Sequence, residues 1–271
     1  RPADEPHHPP PARAVDEALE ACGVSRRFGG LTALSDFSLS VAPGELVGLI
    51  GPNGAGKTTA FNVVTGVYAP SDGTVALGGK RIDGLSTVWI NRHGVARTFQ
   101  NIRLFKGLTV LDNVAAALKN PAELSLWRTL LRTPRFFRER AASEAQAMAL
   151  LRTMGLEKLA DHAAGSLSYG DQRRLEIARA LATRPAILLL DEPAAGMNPQ
   201  EKVELTKLIA FIRDRFAVGI LLIEHDMKLV MSICQRLTVL DHGETIAVGT
   251  PEEVRANPKV IEAYLGEPGA A

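Results

Sequence analysis

The chain has 271 residues, of which 46% are hydrophobic, and its 31 basic and 30 acidic residues leave a formal charge of +1. That is enough chain for one substantial core, or a core with a subdomain, and its hydrophobic content and balanced charge together indicate neither disorder nor a global nucleic-acid-binding surface. The longest apolar runs, Pro185 to Leu190 and Val218 to Ile223, fall far short of the ~20 residues that span a bilayer, so any membrane contact is expected through partners.

The start, RPADEPHHPPPAR, has neither apolar periodicity nor an apolar h-region, and residues 1–17 are read as a flexible tail. With Cys22 and Cys234 the only cysteines, a reducing cytosol fits, and both thiols are read as space-filling. From Ala18 to Val41, runs of strand character (Leu19 to Val24, then Phe37, Leu39 and Val41 alternating) are separated by Gly29-Gly30 and closed by Pro43-Gly44, which predicts antiparallel strands. Glu45 to Ile50 is a continuous apolar strand. It runs into a glycine-rich loop, and a helical pattern follows from Lys57 to Gly66. Gly73 to Ile82 reads as a hairpin turning at Gly78-Gly79.

The middle of the chain changes character. Thr109 to Leu118 and Arg138 to Met154 carry apolar residues at helical spacing with few strand signals between them, which predicts a helical subdomain. Apolar runs at Ala186 to Leu190 and Gly219 to Ile223 then read as parallel strands covered on both faces. Helices are expected over Gly170 to Ala182 and Gln200 to Arg215. A hairpin is expected about Asp241-His242-Gly243-Glu244, and a short helical tail ends at Tyr264-Leu265-Gly266-Glu267.

Gly51-Pro52-Asn53-Gly54-Ala55-Gly56-Lys57-Thr58 satisfies G-x-x-x-x-G-K-[ST] between a predicted strand and helix. Backbone N–H groups of such a loop curl around a phosphate, the helix dipole and Lys57 add positive charge, and Thr58 offers a hydroxyl to Mg²⁺; a triphosphate is the expected ligand. Leu188-Leu189-Leu190-Asp191-Glu192 puts two carboxylates past the C-terminal end of a buried strand, where open α/β sheets bind ligands. Asp191 is expected to hold Mg²⁺ through its water shell, and Glu192 to accept a proton from the attacking water. Leu167-Ser168-Tyr169-Gly170-Asp171-Gln172 precedes a helical run, so Ser168 and Gly170 stand at a helix N-terminus.

The order of phosphate loop, Gln100, Leu-Ser-x-Gly, acidic strand end and His225 resembles that of ABC-transporter ATPases from about Leu19 onward. The fold so implied is α/β: a P-loop NTPase (RecA-like) core with an antiparallel β subdomain and a helical subdomain. The chain then divides into the tail 1–17, the β subdomain and first core part 18–100, a helical subdomain 101–166, the second core part 167–250, and a helical tail 251–271. The resemblance implies that Asn53, Gly54, Ala55, Gly56, Lys57, Thr58 and Thr59 bind the nucleotide and that Phe28 stacks on adenine. Gln100 would sense Mg²⁺ and the attacking water, and His225 would contact the γ-phosphate. It also implies that Ser168 and Gly170 close over the nucleotide of an opposing subunit. Tyr169, Asp171 and Asn198 depart from the usual pattern, and the Asp171 carboxylate is expected to point away from the nucleotide.

Arg97 to Phe105, Tyr169 to Arg179, Ala194 to Pro199 and the ending Ala263-Tyr264-Leu265-Gly266-Glu267 more narrowly resemble the G-type ATPases of branched-chain amino-acid importers. That resemblance implies a second, F-type ATPase as partner, two transmembrane permease subunits, a periplasmic or extracellular substrate-binding protein, and a peripheral place on the cytoplasmic face of the bacterial inner membrane. The stretch from Gln100 to Leu118, with Phe105 and Leu108, is expected to seat a permease helix. The segment Leu124 to Arg140 interleaves Trp127, Phe136 and Phe137 with arginines, and it is read as an elaborated helix with arginines on its wet side rather than a lipid or nucleic-acid surface. Rival readings are a lipopolysaccharide-export ATPase, a related importer for urea, amides or aromatic acids, a soluble ABC ATPase of DNA repair or ribosomes, and a module that holds ATP without turning it over. Glu192 and His225 weigh against the last, and no nucleic-acid partner is expected.

Overall fold

The computed structural model describes residues 17–118 and 134–265. In chain order the elements are β1 (Leu19–Phe28), β2 (Leu31–Val41), β3 (Leu46–Ile50), α1 (Lys57–Val64), β4 (Asp72–Leu77), β5 (Lys80–Arg81), α2 (Thr87–His93), β6 (Val95–Arg97), α3 (Val110–Leu118), α4 (Pro134–Thr153), α5 (Tyr169–Ala182), β7 (Ile187–Asp191), α6 (Pro199–Phe216), β8 (Gly219–Ile223), α7 (Met227–Ile233), β9 (Arg236–Asp241), β10 (Glu244–Gly249), α8 (Pro251–Ala256) and α9 (Pro258–Leu265). They form two compact units, one of residues 101–118 and 134–184, the other of 17–100 and 185–265.

The larger unit holds two sheets. One is antiparallel in the order β2-β1-β4-β5, with Phe28 opposite Leu31 across the Gly29-Gly30 turn and Leu19 opposite Val41. On β2 the buried residues Phe37, Leu39 and Val41 alternate with exposed ones as a one-sided strand should. Asp36, at φ 47°, breaks that alternation between Leu34 and Phe37. The other sheet runs β10-β9-β3-β8-β7-β6, parallel from β9 to β6, with β10 antiparallel at the edge. Every residue of β3, β7 and β8 is buried, as expected of parallel strands covered on both faces. Side chains such as Phe37, Phe61, Leu189 and Leu221 join one apolar core within this unit.

In the helical unit the apolar faces of α3 (Val110, Val114), α4 (Leu150, Leu151) and α5 (Leu175, Ile177, Leu181) are buried. Asn113, fully buried on α3, accepts from Phe105 N and donates to the carbonyls of Phe105 and Thr109, so its amide is satisfied. This unit runs to Arg184 and takes in α5, beyond the 101–166 expected from sequence. The chain stretch of Trp127, Arg128 and Arg132, the tail 1–16 and the ending from Gly266 lie outside the described residues. Arg140, at the end of that stretch, makes an exposed i,i+4 pair with Glu144 at 2.8 Å.

Local signals explain why several elements begin where they do. Asn198, one of the departures noted above, caps α6: its Oδ1 accepts from Glu201 N (2.9 Å) while Glu201 Oε2 accepts from Asn198 N (2.8 Å), with Pro199 in the first turn. Such a cap stabilises a helix by about 1 kcal/mol. Thr250 and Glu253 do the same for α8. The elements not anticipated, β6, α2 and α7, are 3, 7 and 7 residues long, too short to display a period.

Gly48 in β3 is required by close approach, since a Cβ there would sit 2.6 Å from Leu237 Cδ2 and 3.1 Å from Cys234 Sγ. Burial pushes the Cys234 thiol up to about 12, so almost none of it is thiolate at neutral pH. A maleimide reagent is expected to label exposed Cys22 in the folded protein and Cys234 only after unfolding. Rapid labelling of both thiols before denaturation would refute this packing of β3 against Cys234.

Candidate functional site

The strands β3, β6, β7 and β8 run parallel, so the loops after their C-terminal ends emerge at one edge of the sheet. The loop after β3 is glycine-rich because the geometry admits little else. Gly51 (φ 149°) and Gly56 (φ 101°) have left-handed backbones, and a Cβ on them would lie 2.0 Å from Leu240 O and 2.7 Å from Ala33 O. Gly56 is also the N-cap residue of α1. Lys57, 6% exposed, donates from Nζ to Gly51 O (2.5 Å) and Pro52 O (2.7 Å), so the loop curls about its ammonium.

A cleft of about 470 Å³ opens over this loop. It is lined by Asn53 through Thr59 and by Gln100, Glu192 and His225. Gln100 Nε2 donates to Glu192 Oε2 at 2.8 Å, and His225 Nε2 lies 2.5 Å from Glu192 Oε1. The Glu192 carboxylate is thereby held between an amide and an imidazole, each oxygen keeping a further lone pair for another donor. Glu192 itself has φ 46°, uncommon for a residue with a side chain, and its N donates to Ile223 O at 2.9 Å. A conformation of this kind costs on the order of 1–3 kcal/mol and persists only where the surroundings impose it. It takes Glu192 out of the strand's alternation and brings its carboxylate to the cleft.

Asp191 is placed differently. It is 6% exposed and does not line the cleft; its Oδ2 accepts from Arg97 Nη2 at 2.7 Å, an ion pair in which both side chains are about nine-tenths buried. Removing one partner of a pair this buried typically costs about 3–5 kcal/mol. Phe28 also stands apart from the cleft lining. Its ring packs edge-on to Tyr68 (centroids 5.1 Å) beneath the Arg26 guanidinium (4.6 Å). Leu31, Thr32 and Ala33, with His242 and Gly243, line that side instead. No motif marks them. They arrive by way of two hairpins clipped together, Ser35 N donating to Gly243 O (2.8 Å) and Gly243 N to Ala55 O (2.9 Å).

Ser168 and Gly170 belong to the helical unit. Ser168 caps α5, its Oγ accepting from Asp171 N (3.2 Å) and donating to Asp171 Oδ2 (2.7 Å). The Asp171 carboxylate turns back onto its own helix start, where an acid is favoured. Behind it Arg173, fully buried, donates to Glu176 (2.8 Å) and to the Tyr169 hydroxyl (3.1 Å).

The residues suit a nucleotide with a divalent cation. The loop offers a cradle that side chains would fill, and Thr58 contributes a hydroxyl beside it. Among the described residues no cluster of three or more His, Cys, Asp or Glu side chains could hold a metal ion alone. A cation that keeps waters and takes phosphate oxygens as ligands, as Mg²⁺ does, fits such a donor set.

Glu224 was not singled out by sequence. It is 5% exposed, and its carboxylate accepts from Ala194 N (2.6 Å) and His225 N (3.2 Å), tying the loop after β7 to the loop after β8. Burial raises its pKa above the usual 4.5, against the opposing pull of backbone N–H groups. The folded chain therefore holds this proton more tightly than the unfolded chain, and stability falls as pH rises from 4.5 through the raised folded value. Relative to Glu224→Gln, the unaltered protein is expected to lose stability progressively across that range. Urea denaturation at a series of pH values measures it, and parallel pH curves for the two proteins would refute the burial argument.

The family profile described as "ABC transporter" matches residues 34–195, and one described as "Branched-chain amino acid ATP-binding cassette transporter" matches residues 244–270. The high-affinity branched-chain amino acid transport ATP-binding protein LivG of Escherichia coli (strain K12) is 50% identical over 249 residues, covering 92% of this chain and 98% of that protein. The lipopolysaccharide export system ATP-binding protein LptB of the same organism is 36% identical over 249 residues, covering 92% and 97%. Among solved structures, the ADP conformation of an ATP-binding cassette of an ABC transporter superposes with a TM-score of 0.80 at 33% identity, covering 93% of this chain and 99% of that one.

Proposed function

The chain belongs to the ABC transporter family of ATP-binding subunits, and from that premise we propose that its ATP hydrolysis drives an importer of branched-chain amino acids. Members of the family bind nucleotide and hydrolyse ATP as parts of transporter complexes, which implies permease partners. The observation that carries the catalytic reading is the Glu192 carboxylate, held between Gln100 and His225 in the cleft that the glycine-rich loop lines. Support for the cargo comes from the 50% identity to a branched-chain amino acid transport ATPase, against 36% to the lipopolysaccharide-export one, and from the C-terminal match.

In this reading Lys57 and the backbone N–H groups from Asn53 to Thr59 bind the phosphates, with the N-terminus of α1 adding its partial positive charge. Glu192 accepts the proton of the attacking water, and His225 and Gln100 orient that carboxylate and reach toward the γ-phosphate. Thr58, Gln100 and Asp191 are the residues that would hold Mg²⁺, which when bound supplies charge neutralisation at the phosphates. Leu31 to Ala33 form the wall on the side of the first hairpin, and Phe28, at the turn of that hairpin, is the aromatic residue available to the base.

Ser168 and Gly170 act on the nucleotide of an opposing ATPase subunit, so that turnover requires a dimer, here with an F-type partner. Phe105 and Leu108, 53% and 43% exposed in the helical unit, offer an apolar seat to a permease helix. Among the described residues no helix is long and apolar enough to cross a membrane. From the permease partners that the family implies, we assign the chain a peripheral place at the cytoplasmic face of the inner membrane, below the permeases and the substrate-binding protein they serve.

Deleting this subunit is expected to abolish uptake of radiolabelled leucine, isoleucine and valine and to spare urea. Intact leucine uptake with loss of another solute would overturn the cargo. Within the site, replacing Glu192 with Gln keeps size and hydrogen bonding but removes the proton acceptor, and a positioned base is typically worth on the order of 10²–10⁴-fold in rate. Glu192→Gln should therefore bind ATP normally and stall, whereas Lys57→Ala should weaken binding itself. Nucleotide affinity and steady-state phosphate release measured on both variants separate the two roles; normal turnover by Glu192→Gln would remove it as the base.

A further inference from the structure

Arg97 is the last residue of β6, a strand 3 residues long that ends just before the segment carrying Gln100. Its guanidinium makes contacts in three directions. Nη2 donates to Asp191 Oδ2 (2.7 Å), while Nη1 donates to Asn62 Oδ1 (2.7 Å) and Thr65 Oγ1 (3.2 Å). The rings of Phe61 and Phe99 each lie 5.5 Å from its central carbon. Asn62 stands on α1 and Thr65 is the C-cap residue of that helix, which begins with Lys57 and Thr58. One side chain thus joins the three pieces of chain that carry Thr58, Gln100 and Asp191.

Structure alone does not account for the choice. The Arg97 Nε hydrogen is buried without a partner, which costs stability, and a well-packed apolar pair often serves as well as a buried ion pair. What an apolar pair cannot do is hold a carboxylate at a fixed angle. Arg97 occupies Oδ2 and leaves Oδ1 of Asp191 available, while Thr98 Oγ1 accepts from the Asp191 backbone N at 3.4 Å and Thr98 N donates to Leu189 O at 2.9 Å. Both the main chain and the side chain of Asp191 are therefore set from the Arg97-Thr98 segment.

We propose that Arg97 is a positioning residue for divalent-cation binding, aligning Asp191 with Thr58 across the phosphate loop. This rests on the reading that Asp191 holds the cation beside the nucleotide. Without the guanidinium, the Asp191 carboxylate is left buried with its ion-pair partner gone, and it swings toward water and out of line. Partners that orient a metal-holding group typically change metal affinity or activity by about 10–100-fold when removed.

The test is ATP affinity of the full chain, titrated with Mg²⁺ and again in EDTA, for the unaltered protein, Arg97→Met, Arg97→Lys and Asp191→Asn. In EDTA all four are expected to bind alike, because Lys57 and the loop are untouched. The gain in affinity conferred by Mg²⁺ is expected to fall by about 10-fold or more in Arg97→Met and to recover partly in Arg97→Lys, which keeps the charge but not the fork. A normal Mg²⁺ gain in Arg97→Met, with the gain lost in Asp191→Asn, overturns the role of Arg97 and leaves the metal reading standing. A normal gain in Asp191→Asn overturns both. Should Arg97→Met fail to fold, the double change Asn62→Ala with Thr65→Ala cuts the tether to α1 and keeps the buried pair; it is expected to lower the gain in the same direction, and an unchanged gain overturns the proposal.

Discussion

The parallel register of the central strands is the constraint on which the rest of the site depends. Asp191 pairs opposite Ile223, and Arg97 opposite Leu189. Parallel hydrogen bonding sets neighbouring strands in the same direction, so residues far apart in the chain, Gln100, Glu192 and His225, emerge together at one edge. The bond from Glu192 N to Ile223 O carries the ladder one step past the end of β7. There the backbone turns left-handed, which separates two adjacent carboxylates into different surroundings: Asp191 inward to Arg97, Glu192 outward to the cleft.

Three acidic side chains, Asp191, Glu192 and Glu224, lie at the ends of two adjacent strands, and each is offset by different chemistry. Asp191 has a guanidinium, Glu192 an amide and an imidazole, and Glu224 backbone N–H groups with a pKa raised by burial. Like charges so close would otherwise repel, and giving each its own partner fixes which carboxylate faces water and which braces the loops. Glu224 joins the two loops through the Ala194 and His225 amides, and so supports the imidazole that bears on Glu192.

The glycine-rich loop shows the same economy at the backbone. Gly51 and Gly56 are confined by Leu240 O and Ala33 O, and those carbonyls belong to the β9 and β2 hairpin strands rather than to the loop. The clip from Ser35 to Gly243 to Ala55 makes both hairpins part of the cradle. The antiparallel sheet therefore helps shape the phosphate loop, as well as adding to the core.

Sequence alone determined the strand, loop and helix about Gly51 to Thr58, the buried parallel strands, the antiparallel start and the grouping of Glu192 with Gln100 and His225, the last by family resemblance. Those features are local: a period, a capped helix, a glycine pattern or a motif read in order, each imposed by short-range sterics or by burial on two faces. Tertiary structure alone decided the rest. Arg97 sits on a strand too short to show a period and finds Asp191 94 positions away. Glu224 gains meaning only once burial and the Ala194 amide surround it, and Leu31 to Ala33 reach the cleft because a distant hairpin holds them there. Phe28 packs edge-on to Tyr68, since an aromatic ring goes where neighbouring surface covers it, and which surface that is depends on pairing across the sheet rather than on the residues beside it.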